Sequence, residues 1–255
     1  MKIEVLISTM NKDNVDFVKE MNIKSDIVIG NQNGEDKELV VEESGKKIVL
    51  VNSNTKGLSR NRNITLQHAT ADICLLSDDD LVYKDNYEQI IKDAFAENPT
   101  ADLIIFNLEE DPVVRYVIKN KMKIGYLNYM RFGSVRIAFK RESIMSNNIR
   151  FDTMFGAGST IPSGEDTIFL HDCLRAKLKV IALPQTILTL TNERESTWFK
   201  GYSDTYFINK GKLFERLNKR LKLILCFQDA IRHYKRYQRP MIDVFKLEYS
   251  GSINK

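Results

Sequence analysis

Gly57-Leu-Ser-Arg-Asn-Arg-Asn-Ile-Thr-Leu-Gln-His-Ala-Thr-Ala-Asp-Ile-Cys-Leu-Leu-Ser-Asp-Asp-Asp-Leu81 is read as a loop, a helix, a buried strand and three consecutive carboxylates. Ser59 has the side chain of an N-cap, and Leu58 is placed to pack back on the helix. Ile64, Leu66 and Ala69 give that helix a short apolar stripe. The unbroken apolar run at 73–76 predicts a strand covered on both faces. Asp78, Asp79 and Asp80 then fall at its C-terminal end, where open α/β sheets bind ligands.

Adjacent carboxylates repel. At about 5 Å and an effective dielectric near 20, two of them cost roughly 3 kcal/mol. Water, protonation or a cation must offset this. Carboxylate oxygens suit Mg²⁺ or Mn²⁺, which usually brings substrate phosphates with it. A solvated acidic turn is the plain alternative, and the buried strand just ahead weighs against it.

The loop, the helix, the small-residue turn Ala69-Thr-Ala-Asp72 and the strand with its acids together resemble family 2 glycosyltransferases of GT-A fold. That family has Gly-x-Ser-x-Ala-Arg-Asn before the helix and Asp-x-Asp after the strand. Arg62-Asn63 matches the Arg-Asn pair, with Asn61 where Ala is usual. The Asp-x-Asp is Asp78-Asp79-Asp80, or Ser77 stands at its first position and Asp79-Asp80 follow. Asp80 belongs to it either way. The resemblance implies a metal, Mn²⁺ or Mg²⁺, on Asp80 and Asp78, with Asp79 beside the nucleotide-sugar.

Outward from this stretch, the chain of 255 residues is 43% apolar, enough for one sizeable core with or without a small subdomain. Cys74, Cys173 and Cys226 form no Cys-x-x-Cys, which predicts free buried thiols in a reducing cytoplasm and no zinc site. Met1-Lys-Ile-Glu4 leads directly into an apolar run, so no leader is expected. No apolar run approaches a membrane span.

Residues 3–8 read as the first strand and 13–21 as a helix. The resemblance puts the intervening loop, with Ser8 and Thr9, beneath the nucleotide, although a simple helix cap fits as well. Residues 27–29 form the second strand. The family usually has acids after it to hold the base or ribose. This chain has Asn31 and Gln32, whose amides can meet a uracil edge with both donor and acceptor. Residues 39–42 and 48–51 read as a hairpin turning at Gly45. Lys56, Arg60 and Arg62 cluster ahead of a helix N-terminus, an arrangement suited to phosphate, with Arg62 the leading contact and Ser59 beside it.

Beyond the acids, 85–97 reads as an amphipathic helix, and 103–106 and 135–139 as strands. The basic stretch 113–132 between them has little periodicity and is assigned to acceptor-dependent variation. Gly156, Gly158 and Gly164 punctuate a segment that lacks the Lys of a P-loop, so close approach to a ligand or lid movement is the better reading. Glu165-Asp166 opens a helix. Acids there favour the helix's positive end in any protein. The resemblance makes Asp166 the general base, with Glu165 its competitor. Strands at 180–183 and 187–190 are separated by Pro184. The segment 191–198 resembles one that closes over the donor, and Trp198 serves as an anchor or a sugar platform.

From 209 to 239 there are ten Lys/Arg and two acids, so the rest of the chain is slightly acidic against a net charge of +4. Leu213, Phe214, Leu217, Leu221, Ile224 and Ile231 recur at helical spacing. The expected organisation is an α/β GT-A catalytic domain at 1–208, with a mostly parallel mixed sheet flanked by helices, and a basic helical C-terminal appendage at 209–255.

The resemblance implies transfer of a sugar, with inversion, from a UDP-sugar to an acceptor hydroxyl. The acceptor is a carbohydrate, lipid-linked molecule or glycoprotein of bacterial surface polysaccharide or glycoconjugate synthesis. The setting is cytoplasmic, with peripheral membrane contact through the basic helices and no nucleic acid. Two rivals stand beside it. A phosphatase with an aspartyl nucleophile would want acids after the first strand, where Ser8-Thr9-Met10 has none. A catalytically silent binding subunit would not need to keep Asp80 and Asp166.

Overall fold

A computed structural model describes residues 1–43, 45–191 and 201–253. Trp198, with the segment 192–198 read as closing over the donor, lies outside the described residues. The apolar run near the start forms β1 (Ile3–Met10), and a single 3-10 turn follows at Asp16–Lys19. A longer helix was expected there. Its first turn is instead held by side chains: Asn14 Oδ1 accepts from Asp16 N, and the Asn31 amide binds both the N–H and the carbonyl of Lys12. Then come β2 (Asp26–Gln32) and a hairpin of β3 (Lys37–Glu43) and β4 (Lys46–Ser53). Next are α1 (Leu58–His68), β5 (Ile73–Asp78), the short β6 (Leu81–Tyr83) and α2 (Tyr87–Glu97).

The second half contains β7 (Leu103–Glu109), β8 (Met122–Ile124), β9 (Ile137–Lys140), α3 (Arg141–Ser146), α4 (Glu165–Arg175) and β10 (Val180–Leu190). Three helices follow: α5 (Asp204–Leu217), α6 (Lys222–Tyr237) and α7 (Met241–Ile253). Pro184 does not divide β10 into two strands. Its missing donor shifts the register on β7 around Thr186, and Asn107 Nδ2 takes up the Pro184 carbonyl.

The strands form one sheet in the order β3-β4-β2-β1-β5-β9-β7-β10-β6, with β8 beside β10. Neighbours β4, β2, β1 and β5 are parallel, while β9 runs against both β5 and β7. Side chains alternate between two cores. Val5, Ile7 and Ile29 pack with Tyr87, Ile91 and Phe95 of α2 on one face. Leu6, Val28 and Leu76 pack with Leu66 of α1 and Phe169 and Cys173 of α4 on the other. Each large side chain so buried contributes about 1.5–3 kcal/mol. The chain leaves β1 toward β2 and β4, then returns to β5 on β1's other side. The crevice opens at that reversal, past Ser8 and Asp78.

The C-terminal stripe is not one helix face. Asn218 Oδ1 accepts from Arg220 N and Leu221 N, ending α5. Phe214 and Leu217 pack inward against Phe155 and Ile168, whereas Leu221, Ile224 and Ile231 face outward. Helices α5 and α7 cross so closely that a Cβ on Gly211 would lie 1.8 Å from Glu248 O, and one on Gly251 1.9 Å from Ile208 O.

Glu248 is fully buried at this crossing, and neither side-chain oxygen accepts a hydrogen bond among the described residues. Burial first, and then the facing Asp229 carboxylate, push its acid up to about 9. The folded state therefore holds a proton that the unfolded chain releases near pH 4.3. This contribution is complete below that pH and is lost as pH rises toward 9. Glu248→Gln, which donates to Asp229 without a proton to lose, is expected to raise stability at pH 8 by about 1–3 kcal/mol and leave it nearly unchanged at pH 4. Urea melts at the two pH values check this.

Candidate active site

The site is built around α1. Gly57 (φ 110°) is its N-cap, two residues before Ser59, which lies inside the helix. Ser59 Oγ donates instead to Phe155 O (2.5 Å), and Ala157 O accepts from Leu58 N (2.9 Å). The Gly-rich segment thus lies against the start of α1. Asn63 exchanges two hydrogen bonds with the backbone of Phe151. Asn61 Nδ2 donates to Thr9 O and Gly30 O, tying α1 under the ends of β1 and β2.

Arg62 is buried and does not line the crevice past Ser8 and Asp78. Its Nη1 lies 2.7 Å from Asp166 Oδ1 and 3.4 Å from Glu165 Oε1, and its Nη2 lies 3.3 Å from Asp78 Oδ1. The guanidinium also covers the Phe151 ring. One cation therefore joins the acid at the end of β5 to both acids at the start of α4. Burial alone would weaken its charge. Asp166, Asp78 and Glu165 outweigh that and hold it more basic than usual. Glu165 is raised well above the ordinary carboxylate range, first by burial and then by Asp166, with Arg62 opposing. Asp78 is raised too, by removal from water, against the pull of Arg62.

Asp166 Oδ2 accepts from Ser134 N (3.0 Å), so both oxygens are oriented, and the side chain is 27% exposed. Asp79 Oδ2 accepts from Thr9 Oγ1 (2.7 Å) and pairs with Lys12 Nζ (3.2 Å). Thr191, at the end of β10, donates to Asp80 O from both its N–H and its hydroxyl.

A cleft of about 1870 Å³ runs past Asp78, Asp79 and Asp80, with Thr167, the chain neighbour of Asp166, in its wall. Ordinary small-molecule pockets measure about 300–1,000 Å³, so it has room for two substrates. Ser8, Thr9, Gln32, Lys56, Asp78, Asp79 and Asp80 line one end. Ser8 Oγ is buried without a protein partner among the described residues. Asn31 lies behind the wall, its amide taken up by Lys12 and Asn52, and Ser59 and Arg62 are likewise behind it. Arg60 is on the exposed surface.

The other end was missed by sequence reasoning. Tyr126 and Arg131 come from the stretch between β7 and β9, Thr167 from α4, and Tyr206, Arg232 and Arg236 from the C-terminal helices. Its one signal was the excess of basic residues, which says nothing of a cleft. Lys210, among the rings of Tyr206, Phe214 and Tyr237, pairs with Asp229 (2.7 Å) in this wall.

Oxygen donors suit a hard divalent cation. Asp78 and Asp80 face the cleft and fit one held by one or two carboxylates plus substrate phosphates; Asp79 is engaged by Thr9 and Lys12. No closed cage of three or more metal-ligating side chains exists among the described residues.

The chain resembles solved structures of TarS from S. aureus. With TarS 1-349 in complex with UDP-GlcNAc the TM-score is 0.64 at 14% identity, over 92% of this chain and 73% of that one. With TarS 1-349 in complex with UDP it is 0.62 at 14% identity, over 98% and 91%. Against a longer TarS chain, 92% of this chain covers 44% of that one, at 14% identity and TM-score 0.62. No curated protein matches in sequence. The family model described as glycosyl transferase family 2 matches residues 22–158, more than half of the chain. The chain therefore belongs to glycosyltransferase family 2 and is a glycosyltransferase of GT-A fold.

Proposed function

We propose that the enzyme transfers a sugar from a UDP-sugar to an acceptor hydroxyl, with inversion and with a divalent metal, in bacterial surface polysaccharide or glycoconjugate synthesis. The acceptor is a carbohydrate, lipid-linked molecule or glycoprotein reached from the cytoplasmic face of the membrane. The observation that carries this reading is the Arg62 bridge. It couples the acid at the donor end of the cleft to Asp166 on the opposite element.

The TarS complex with UDP-GlcNAc supports a UDP-sugar. So do the unpartnered Ser8 hydroxyl and the Gln32 amide, whose Nε2 donates to Gly57 O and whose oxygen suits a base N–H. Asp80 and Asp78 would hold Mn²⁺ or Mg²⁺, which when bound neutralises charge on the leaving diphosphate. Asp166, oriented by Arg62 and Ser134 N, takes the acceptor proton as the acceptor oxygen bonds the anomeric carbon. The bond from that carbon to the diphosphate breaks, and its electron pair leaves with the nucleotide. Glu165 supports Asp166 from the buried side.

Asp80→Asn is expected to abolish turnover and to weaken UDP binding at least tenfold with Mn²⁺ but little without it. Calorimetry with and without metal checks this, and equal UDP affinity of the wild type in both conditions would defeat the metal assignment.

A further inference from the structure

Helix α6 has its apolar stripe on the wrong side for packing. Leu223, Ile224, Phe227, Ile231 and Tyr234 share its outer face and are 37–60% exposed. The stripe continues onto α7, where Phe245 packs on Phe227 and stacks on the exposed Tyr249. Around it Lys219, Arg220 and Lys235 are exposed. The one acid of α6, Asp229, is buried inside, held by Lys210. Across the cleft, the stretch between β7 and β9 repeats the combination. Val113, Val114 and Leu127 are 67%, 75% and 95% exposed, among Lys119, Lys121 and Lys123. Both segments border the same cleft, through Val114 and Leu127 on one side and Arg232 and Arg236 on the other.

We infer that these two rims dock the cleft mouth onto an anionic bilayer surface, the apolar side chains entering the headgroup region and the cations meeting lipid phosphates. The inference rests on the proposed function only for the acceptor that would be delivered there, not for the binding. The charges decide the occupant. A second copy laid on the same stripe would bring Lys219, Arg220 and Lys235 against their own kind. An anionic membrane complements them, and cations flanking an exposed apolar helix face are what interfacial helices carry.

The test is co-sedimentation of the full chain with phosphatidylcholine vesicles and with mixed phosphatidylcholine–phosphatidylglycerol vesicles, at low and high salt. Binding is expected to the mixed vesicles at low salt and to fall steeply at high salt. The triple variant Lys219→Glu/Arg220→Glu/Lys235→Glu should lose on the order of 100-fold in partitioning. Phe227→Ser/Ile231→Ser should lose about tenfold. Donor hydrolysis by these variants should stay at the wild-type level, which separates failure of docking from failure of the catalytic reading. Equal binding to both vesicle types, or none to the mixed ones at low salt, overturns the inference. So does micromolar self-association in sedimentation velocity that Phe227→Ser/Ile231→Ser abolishes, because a second copy is then the occupant.

Discussion

Asp166→Asn should keep donor affinity within about twofold and lose about 10²–10⁴-fold in kcat. The acceptor hydroxyl ionises far above pH 7, so its proton must leave as the new bond forms. Asp166 is the proposed base: its carboxylate is fixed by Arg62 on one oxygen and Ser134 N on the other, and is 27% exposed. The same two contacts define what the variant loses in stability. An asparagine offers one oxygen where two donors converge, so about 1–2 kcal/mol of stability should go with the charge. A melt run beside the kinetics separates this from the catalytic loss. Glu165→Gln should be milder in kcat, because Glu165 is almost fully buried whereas Asp166 keeps partial exposure. Near wild-type transfer by Asp166→Asn would place the base elsewhere.

Removal of Arg62 should be the most damaging single change to the fold. Arg62→Met leaves Asp78, Glu165 and Asp166 facing one another without their shared cation. Breaking a buried pair costs about 3–5 kcal/mol. The low end, about 3 kcal/mol, applies here because Asp78 and Asp166 keep partial contact with water. Glu165 and Asp78 are raised by burial against the pull of Arg62, so without the guanidinium their folded-state pKa values stand further above their unfolded ones. The variant's stability is therefore greatest at low pH and falls as pH rises. Urea melts should show a deficit much larger at pH 8 than at pH 5. A phosphate anchor would behave differently: Arg62→Met would then weaken nucleotide binding and leave the melt unchanged.

The contrast between those outcomes shows where the sequence was legible. The buried strand, the acids at its end and the helix before it were readable because periodicity and strand-end position are local. Arg62-Asn63 and Glu165-Asp166 stood out through resemblance to the family's motifs, not through periodicity. The phosphate reading of Arg62 rested on its neighbours in sequence, Lys56 and Arg60. The carboxylates it contacts on α4 are about a hundred residues away and could not be read from that neighbourhood. The internal contacts of Asn31 and Ser59 were hidden for a related reason. Both have the chemistry of a nucleotide contact, but tertiary contacts with Lys12 and Phe155 claim their side chains. Apolar spacing showed that the C-terminal segment is helical. It could not show that the helix breaks at Asn218 and turns Ile224 and Ile231 outward.

The long span of the Arg62 bridge also sets an order in time. The guanidinium precedes Asp166 by 104 residues and Asp78 by 16. At roughly 5–20 residues per second, translation delivers the second carboxylate side about 5–20 s after the first is made. During that interval the donor-side acids exist on the ribosome, but the group that would take the acceptor's proton does not. A chain halted before α4 therefore carries one half of the proposed reaction centre, and Arg62 has only Asp78 of its three partners.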